Sequence, residues 1–280
     1  MKQQTKGVLE IIIASFLFGI VPIIVKFGKD IGVYNLVFFR ILIAAILIFL
    51  FMKFTNKKIA PFKYERWKLI LFGALHGFII LGYFLAIRYL SISLAVLLLY
   101  SASIWMIVFG HFILKEKLTK TTIFALVISI IGVGLVLMPG NFDMKRSILG
   151  VVSALLAGIG FGLVYVLSKT FKKYDKVSLT FWQNVIALPF VLYFVFIDIP
   201  RFTGLDMFWL ILTGALTAIA FVLVYTGLGK VKAQIAGIVV LLDIIFPILL
   251  AFLVFKEIPS LFSIIGGILI VVGAYIASAQ

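Results

Sequence analysis

The residues of this chain that are equipped for chemistry are few and far apart. It has two histidines, ten acidic residues and no cysteine, so thiolate nucleophiles, disulfides and cysteine-bound metals are excluded. His76 lies in "GALHGFI" and Asp243 in "VVLLDIIFP", each in the middle of an apolar run. An imidazole can donate, accept or carry a proton, and a carboxylate can bind an ammonium group or take up a proton. Alternatively, each makes a structural hydrogen bond between helices, or Asp243 sits protonated in a packed interface. Tyr83 follows His76 by seven positions, two helical turns, and so shares its face. Tyr100 and Ser103 share a second face with Trp105 nearby. These three can wall a pocket for an apolar or aromatic ligand, although Tyr and Trp also serve in ordinary packing and at membrane interfaces. Arg40 in "FFRILIA" can grip a carboxylate or phosphate bidentately, or snorkel to the membrane surface. The candidate substrate-binding set is therefore Arg40, His76, Tyr83, Tyr100, Ser103, Trp105 and Asp243. No third ligand joins His76 and Asp243, so neither a metal nor another cofactor is expected.

Something apolar must hold these groups in place. Hydrophobic residues make up 64% of the 280 positions and charged residues 12%, with a mean hydropathy of +1.28. Soluble domains carry about 25% charged residues, so a water-soluble fold is excluded. Ten runs of membrane-spanning length appear at 8–27, 34–54, 67–90, 92–114, 121–138, 148–170, 178–199, 207–228, 233–255 and 260–279. The first is too long for a secretory signal core and has no A-x-A-like site behind it, so it reads as a retained span. Continuous runs such as "ILIAAILIFLF" exclude a β-barrel, whose strands alternate. His76 falls about 9 residues, ~14 Å, into the third span, and Asp243 about 10 residues, ~15 Å, into the ninth. Both reach the centre of a ~30 Å hydrocarbon core.

Most of the 25 Lys and Arg residues fall in gaps on the N-terminal side, with the densest group at Lys53, Lys57, Lys58, Lys63, Arg66 and Lys68. Basic loops stay cytoplasmic, so both termini are expected in the cytoplasm of a multi-pass inner (plasma) membrane protein. The formal net charge of +15 is spread over short gaps rather than gathered on one soluble domain. It therefore suits anionic lipid headgroups and not nucleic acid.

The two halves resemble each other. "FILKEKLT" (112–119) and "FLVFKEIP" (252–259) carry the same Lys-Glu pair, with Glu116 and Glu257 141 positions apart, half the chain. At the same offset "LILFGAL" (69–75) meets "LILTGAL" (210–216), and Gly132 meets Gly273. At an offset of 143, "GVLEIIIASFLFG" faces "GVVSALLAGIGFG", and Arg40 faces Gln183. Five spans is an odd number, so the second copy enters the membrane inverted. This predicts an all-α membrane protein of ten transmembrane helices built as two inverted five-helix repeats, 1–143 and 144–280, with a site at mid-depth between them. The two glutamates are expected to favour the positive ends of the helices that start at Thr119 and at Pro259-Ser260. Gly132, Gly134, Gly266, Gly267 and Gly273 are expected to allow close packing. Trp182, Gln183 and Asn184 read as an interfacial anchor, or else as a gate.

With these stretches the chain resembles the drug/metabolite transporter superfamily, specifically EamA-type ten-helix carriers. The resemblance is carried by "ASFLFGIVPIIVKF", "FFRILIAAILI", "YLSISLAVLLLYSASIWMIVFGHFILKEKL" with "SIIGVGLVLM", and "VKAQIAGIVVLLDIIFPILLAFLVFKEIPSLFSIIGGILIVVGAYI". Two positions depart from it. "SIWM" stands where the fourth helix usually has a proline, and Phe18 stands where the first often has tryptophan. The resemblance implies a secondary transporter working by alternating access, an exporter of small metabolites such as amino acids. Nucleotide sugars and drug-like amphipaths are alternative cargoes, and protons are the candidate coupling ion. A non-transporting receptor or an intramembrane enzyme is the competing class. An enzyme would need a nucleophile with its base, or a metal cluster, and the sequence offers neither. Nothing in the sequence fixes an oligomeric state.

Overall fold

The computed structural model describes residues 3–27, 32–90, 95, 98–137, 148–196, 203–256 and 258–279. Among these residues the secondary structure is helical, with no strands: α1 (Gln3–Phe27), α2 (Val33–Phe54), α3 (Arg66–Tyr89), α4 (Ala102–Leu114), α5 (Lys120–Leu137), α6 (Ile148–Thr170), α7 (Lys176–Val195), α8 (Gly204–Leu228), α9 (Ala233–Val239), α10 (Leu242–Phe255) and α11 (Leu261–Ser278). Helices are what apolar runs of this length must form in lipid, because each satisfies its backbone polar groups internally. Seven segments of the described residues are long and apolar enough to span a membrane, and Ala102–Leu114 and Lys120–Val136 are shorter apolar helices. Large apolar side chains such as Phe112, Ile148 and Leu261 face outward, as a lipid-facing surface requires.

Helix ends follow local chemistry, and that chemistry recurs at the 141-residue spacing. Lys115 and Lys256 both end their helices in left-handed backbone, at φ 56° and 59°. Thr119 Oγ1 accepts from Thr122 N at 3.1 Å, and Ser260 Oγ accepts from Ser263 N at 3.1 Å. Each hydroxyl satisfies one of the free N–H groups of the following first turn. Elsewhere Asp175 caps α7, and Thr203 forms a capping box with Asp206.

Two expected spans are not continuous α-helices. The run 233–255 divides into α9 and α10 at Val240 and Leu241, where the bonds tighten to the i→i+3 type: Leu241 N to Ile238 O (3.1 Å) and Asp243 N to Val240 O (2.9 Å). The run 92–114 is pinched at Tyr100 and Ser101, with Ser101 N to Leu98 O (3.2 Å) and Ser103 N to Tyr100 O (3.1 Å); residues 91–94, 96 and 97 lie outside the described residues. No glycine or proline stands at either pinch, so composition gave no warning of them. Both pinches lie at mid-depth.

The packing pairs one half of the chain with the other. α1 packs on α8 and α3 on α6; α2 meets α7, and α5 meets α11; α3 also touches α7 as α2 touches α8; α4 lies on α6 as α10 lies on α1. The closest approach is between α5 and α11. A Cβ on Gly132 would stand 2.6 Å from Gly266 O, and one on Gly273 2.0 Å from Ser129 Oγ, so only glycine fits there. Gly134 and Gly267, expected to do the same, meet nothing within 4 Å and face outward. Gln4 Nε2 donates to Ser278 O at 3.3 Å, which puts both ends of the chain on one face.

Candidate functional site

Five of the seven candidate residues, Arg40, His76, Tyr83, Tyr100 and Asp243, line one cavity of about 600 Å³. α2 supplies Arg40, α3 supplies His76 and Tyr83 on a common face, and α10 supplies Asp243 in its first turn. Phe18, Pro22, Phe161, Phe221 and Pro247 complete much of the wall. Asp243 and Tyr100 sit at the two pinches, so the breaks in helical bonding coincide with the cavity.

The polar groups are buried and under-bonded. His76 is 3% exposed and Asp243 9%, and His76 Nδ1, Asp243 Oδ1 and Arg40 Nε have no hydrogen-bond partner among the described residues. Unsatisfied buried polar atoms cost about 1–3 kcal/mol each, so three around one cavity call for a ligand or water. Ser15 faces the Asp243 carboxyl. Arg40 lines the cavity with its Nε buried, which does not fit snorkelling to the membrane surface. Pro22 and Pro247 lie inside α1 and α10 and have no N–H to give the carbonyls four residues back, those of Phe18 and Asp243.

An aromatic floor closes the cavity toward the terminal face. The His76 ring meets Phe221 edge-on at 5.1 Å, Phe221 lies 5.7 Å from Tyr225, and Tyr225 lies 6.2 Å from Tyr165. Tyr225 Oη donates to Gln183 Oε1 at 2.8 Å. Gln183, fully buried, is therefore no interfacial anchor. Trp182 Nε1 donates to Ala60 O at 2.9 Å and Asn184 Nδ2 to Thr180 O at 2.8 Å, so these two are held by backbone carbonyls. The sequence reading missed Phe221, Tyr225 and Tyr165, because an aromatic in mid-run looks like ordinary core.

Ser103 and Trp105 do not reach the cavity. Ser103 lies one turn beyond Tyr100, where its backbone carbonyl packs 3.1 Å from the Cβ position of Gly237. Trp105 stacks on Phe109 at 5.8 Å beside Gly162. α9 packs against α4 at that depth.

Beyond the floor, the terminal face is tied shut. Lys169 Nζ pairs with Glu116 Oε1 at 2.9 Å and donates to Val231 O at 2.6 Å, and Lys230 pairs with Glu10. Glu116 also accepts from Ala233 N (3.0 Å) and Gln234 N (3.4 Å). It thus caps α9, in the other half of the chain, rather than the helix that follows it; Glu257 lies outside the described residues. Tyr174 Oη donates to Pro61 O at 2.9 Å. Burial first, then the Glu65 carboxylate, raises the Tyr174 hydroxyl above the usual tyrosine range, so it keeps the proton it donates. In the other direction the cavity extends to Val136, next to the end of α5, and to Ser263, in the first turn of α11. It therefore reaches the face opposite the termini.

Comparison with known proteins agrees with this architecture. The sequence model of the EamA-like transporter family matches twice, over residues 5–138 and 148–279. An uncharacterized transporter of Archaeoglobus fulgidus is 26% identical over 277 residues, covering 95% of this chain and 93% of that protein. The pseudopaline exporter CntI of Pseudomonas aeruginosa is 23% identical over 268 residues, covering 95% and 93%. A solved crystal structure superposes with a TM-score of 0.85 at 17% identity, over 97% of both chains, a likeness of fold. The chain is a multi-span membrane protein that belongs to the EamA-like transporter family of the drug/metabolite transporter superfamily.

Proposed function

We propose that this transporter exports small amphoteric metabolites, amino acids foremost, by alternating access between two inverted five-helix halves. One observation carries the reading: Arg40 from the first half and Asp243 from the second line a single cavity with no ion pair between them. An ionisable group in hydrocarbon costs about 2.5–3.5 kcal/mol on insertion scales. A zwitterion offsets both costs at once, with its carboxylate on Arg40 and its ammonium group on Asp243. Ile79, Phe161 and Ile244 in the wall suit an apolar side chain. Among the described residues Arg40 is the one cationic side chain in that wall, which disfavours the two phosphates of a nucleotide sugar.

The two matches to the family model, the caps repeated at 141 residues and the paired helix contacts support a duplicated, inverted ten-span chain. The basic gaps support cytoplasmic termini in the plasma or inner membrane. The described conformation then faces outward, and the inward-facing one requires the Glu116–Lys169 and Glu10–Lys230 pairs to part. The Pseudomonas aeruginosa relative is named as an exporter, which supports the direction. A protein of this kind reorients cargo and needs no enzymatic step.

The test is counterflow in proteoliposomes with amino acids, nucleotide sugars and amphipathic cations. Amino acids are expected to exchange. Exchange of nucleotide sugars or cations without any amino acid overturns the cargo, and no exchange at all favours a receptor or an enzyme.

A further inference from the structure

A second hollow, of about 350 Å³, lies on the outer side of α10 and α11. Its walls are Ile245 and Leu249 on α10 and Ile264, Gly267, Ile268 and Val271 on α11, all apolar. Ile268 is 58% exposed and Leu249 49%, so the hollow faces the bilayer. Two residues, Ile248 and Ser263, line both this groove and the central cavity. They stand between a charged, under-bonded chamber and an apolar groove that faces lipid. The groove runs along the half of α11 that starts at the face opposite the termini, the face the cavity also reaches.

We propose that the α10–α11 groove is a lateral portal that seats the alkyl chain of an amphipathic ligand whose polar head lies in the central cavity. This rests on the cavity being the substrate site. The chemistry on the two sides of Ile248 and Ser263 selects such a molecule. The cavity offers Arg40, His76 and Asp243 to a head group, whereas among the described residues the groove offers Ser263 as its one polar side chain. A wholly polar solute gains nothing in the groove, and an alkane gains nothing in the cavity. Gly267 lines the groove, and a Cβ there would meet no atom of the described residues within 4 Å, so a side chain can start from this position into the groove without a clash at its root.

The test is equilibrium binding to the full chain in lipid nanodiscs, with 2-aminoalkanoic acids from four to twelve carbons as probes. Alkylammonium ions and alkanoates of the same lengths form parallel series. Wild type is expected to bind more tightly by about fourfold per methylene once the chain passes Ile248 and Ser263. Gly267→Trp is expected to keep wild-type affinity for 2-aminobutanoate and to flatten that climb. Partition into nanodisc lipid is common to both proteins and cancels. Gly267→Leu, which favours the helix, is expected to flatten the climb in part and secures the comparison if the tryptophan variant folds poorly. A climb that survives in both variants, or no climb in any series, overturns the portal. Climbs that flatten equally in all three series, with no advantage for the zwitterion, support the portal and overturn the amphoteric head site. Tight zwitterion binding without a climb does the reverse. A chain-length effect that flattens in Gly267→Trp but does not compete with 2-aminobutanoate marks a bilayer-lipid site and overturns the joined one.

Discussion

Replacing Glu116 by Gln isolates the contact that fastens one half of the chain to the other. The carboxylate receives Lys169 Nζ at 2.9 Å, Ala233 N at 3.0 Å and Gln234 N at 3.4 Å, and its side chain is only 12% exposed. Glutamine keeps one acceptor and loses the charge. The cost is therefore about one charged hydrogen bond, 1.5–3 kcal/mol, plus about 0.3–1 kcal/mol for an anion at a helix N-terminus. Lys169 retains Val231 O at 2.6 Å, which limits the loss. Glu116→Gln should thus destabilise by about 2–3 kcal/mol. Because the partners are coupled, Glu116→Gln with Lys169→Met should cost about 1–2 kcal/mol less than the two single losses added together. Unfolding free energies in mixed micelles read both quantities. Glu65→Gln is the internal control, since the Glu65–Lys68 pair is 29% exposed on each side and belongs to the class worth less than about 1 kcal/mol. If Glu116→Gln costs no more than Glu65→Gln, or the double variant is additive, the clamp between halves is wrong.

Three further outcomes are expected. Gly266→Val places a Cβ 2.4 Å from Gly132 O and should destabilise by about 1–3 kcal/mol in the same unfolding assay, whereas Gly134→Val, with open space around it, should stay within about 0.5 kcal/mol. Asp243→Asn should abolish pH-driven accumulation in proteoliposomes while sparing substrate counterflow, since exchange needs only the loaded carrier to reorient; unchanged pH dependence would give Asp243 a structural role. The chain has no cysteine, so a single cysteine at Lys58 or Lys173 should label only from the face that carries the termini and one at Thr203 only from the other; labelling of Lys58 and Thr203 variants from one side contradicts the topology.

The sequence disclosed most where chemistry is costly. Arg40, His76 and Asp243 were readable because an ionisable side chain in an apolar run needs a reason, and Tyr83 because seven residues is two turns. Helix ends were legible through Thr119 and Ser260, whose hydroxyls do cap. What stayed hidden depends on how the helices meet. Ser103 shares a helical face with Tyr100 but falls where α9 packs against α4. Glu116 caps a helix over a hundred residues away, which no local pattern encodes. Gln183 reads as interfacial by its neighbours Trp182 and Asn184, yet it is buried because Tyr225 reaches it from α8. The pinches at Tyr100 and Val240 have no sequence signal, since neither glycine nor proline marks them.

The central claim is that Arg40 and Asp243 hold opposite ends of one ligand. It is tested most directly by binding an amino acid, the amine that lacks its carboxylate and the acid that lacks its amine to wild type, Arg40→Gln and Asp243→Asn, all folded and monodisperse in detergent. Arg40→Gln is expected to weaken the amino acid and the acid by about 1.5–3 kcal/mol, the scale of a charged hydrogen bond, and to leave the amine unchanged. Asp243→Asn should weaken the amino acid and the amine and leave the acid unchanged, and His76→Ala should weaken all three by about 1–3 kcal/mol. Loss of affinity that ignores which end of the ligand is missing, or no loss in either charge variant, would contradict the account.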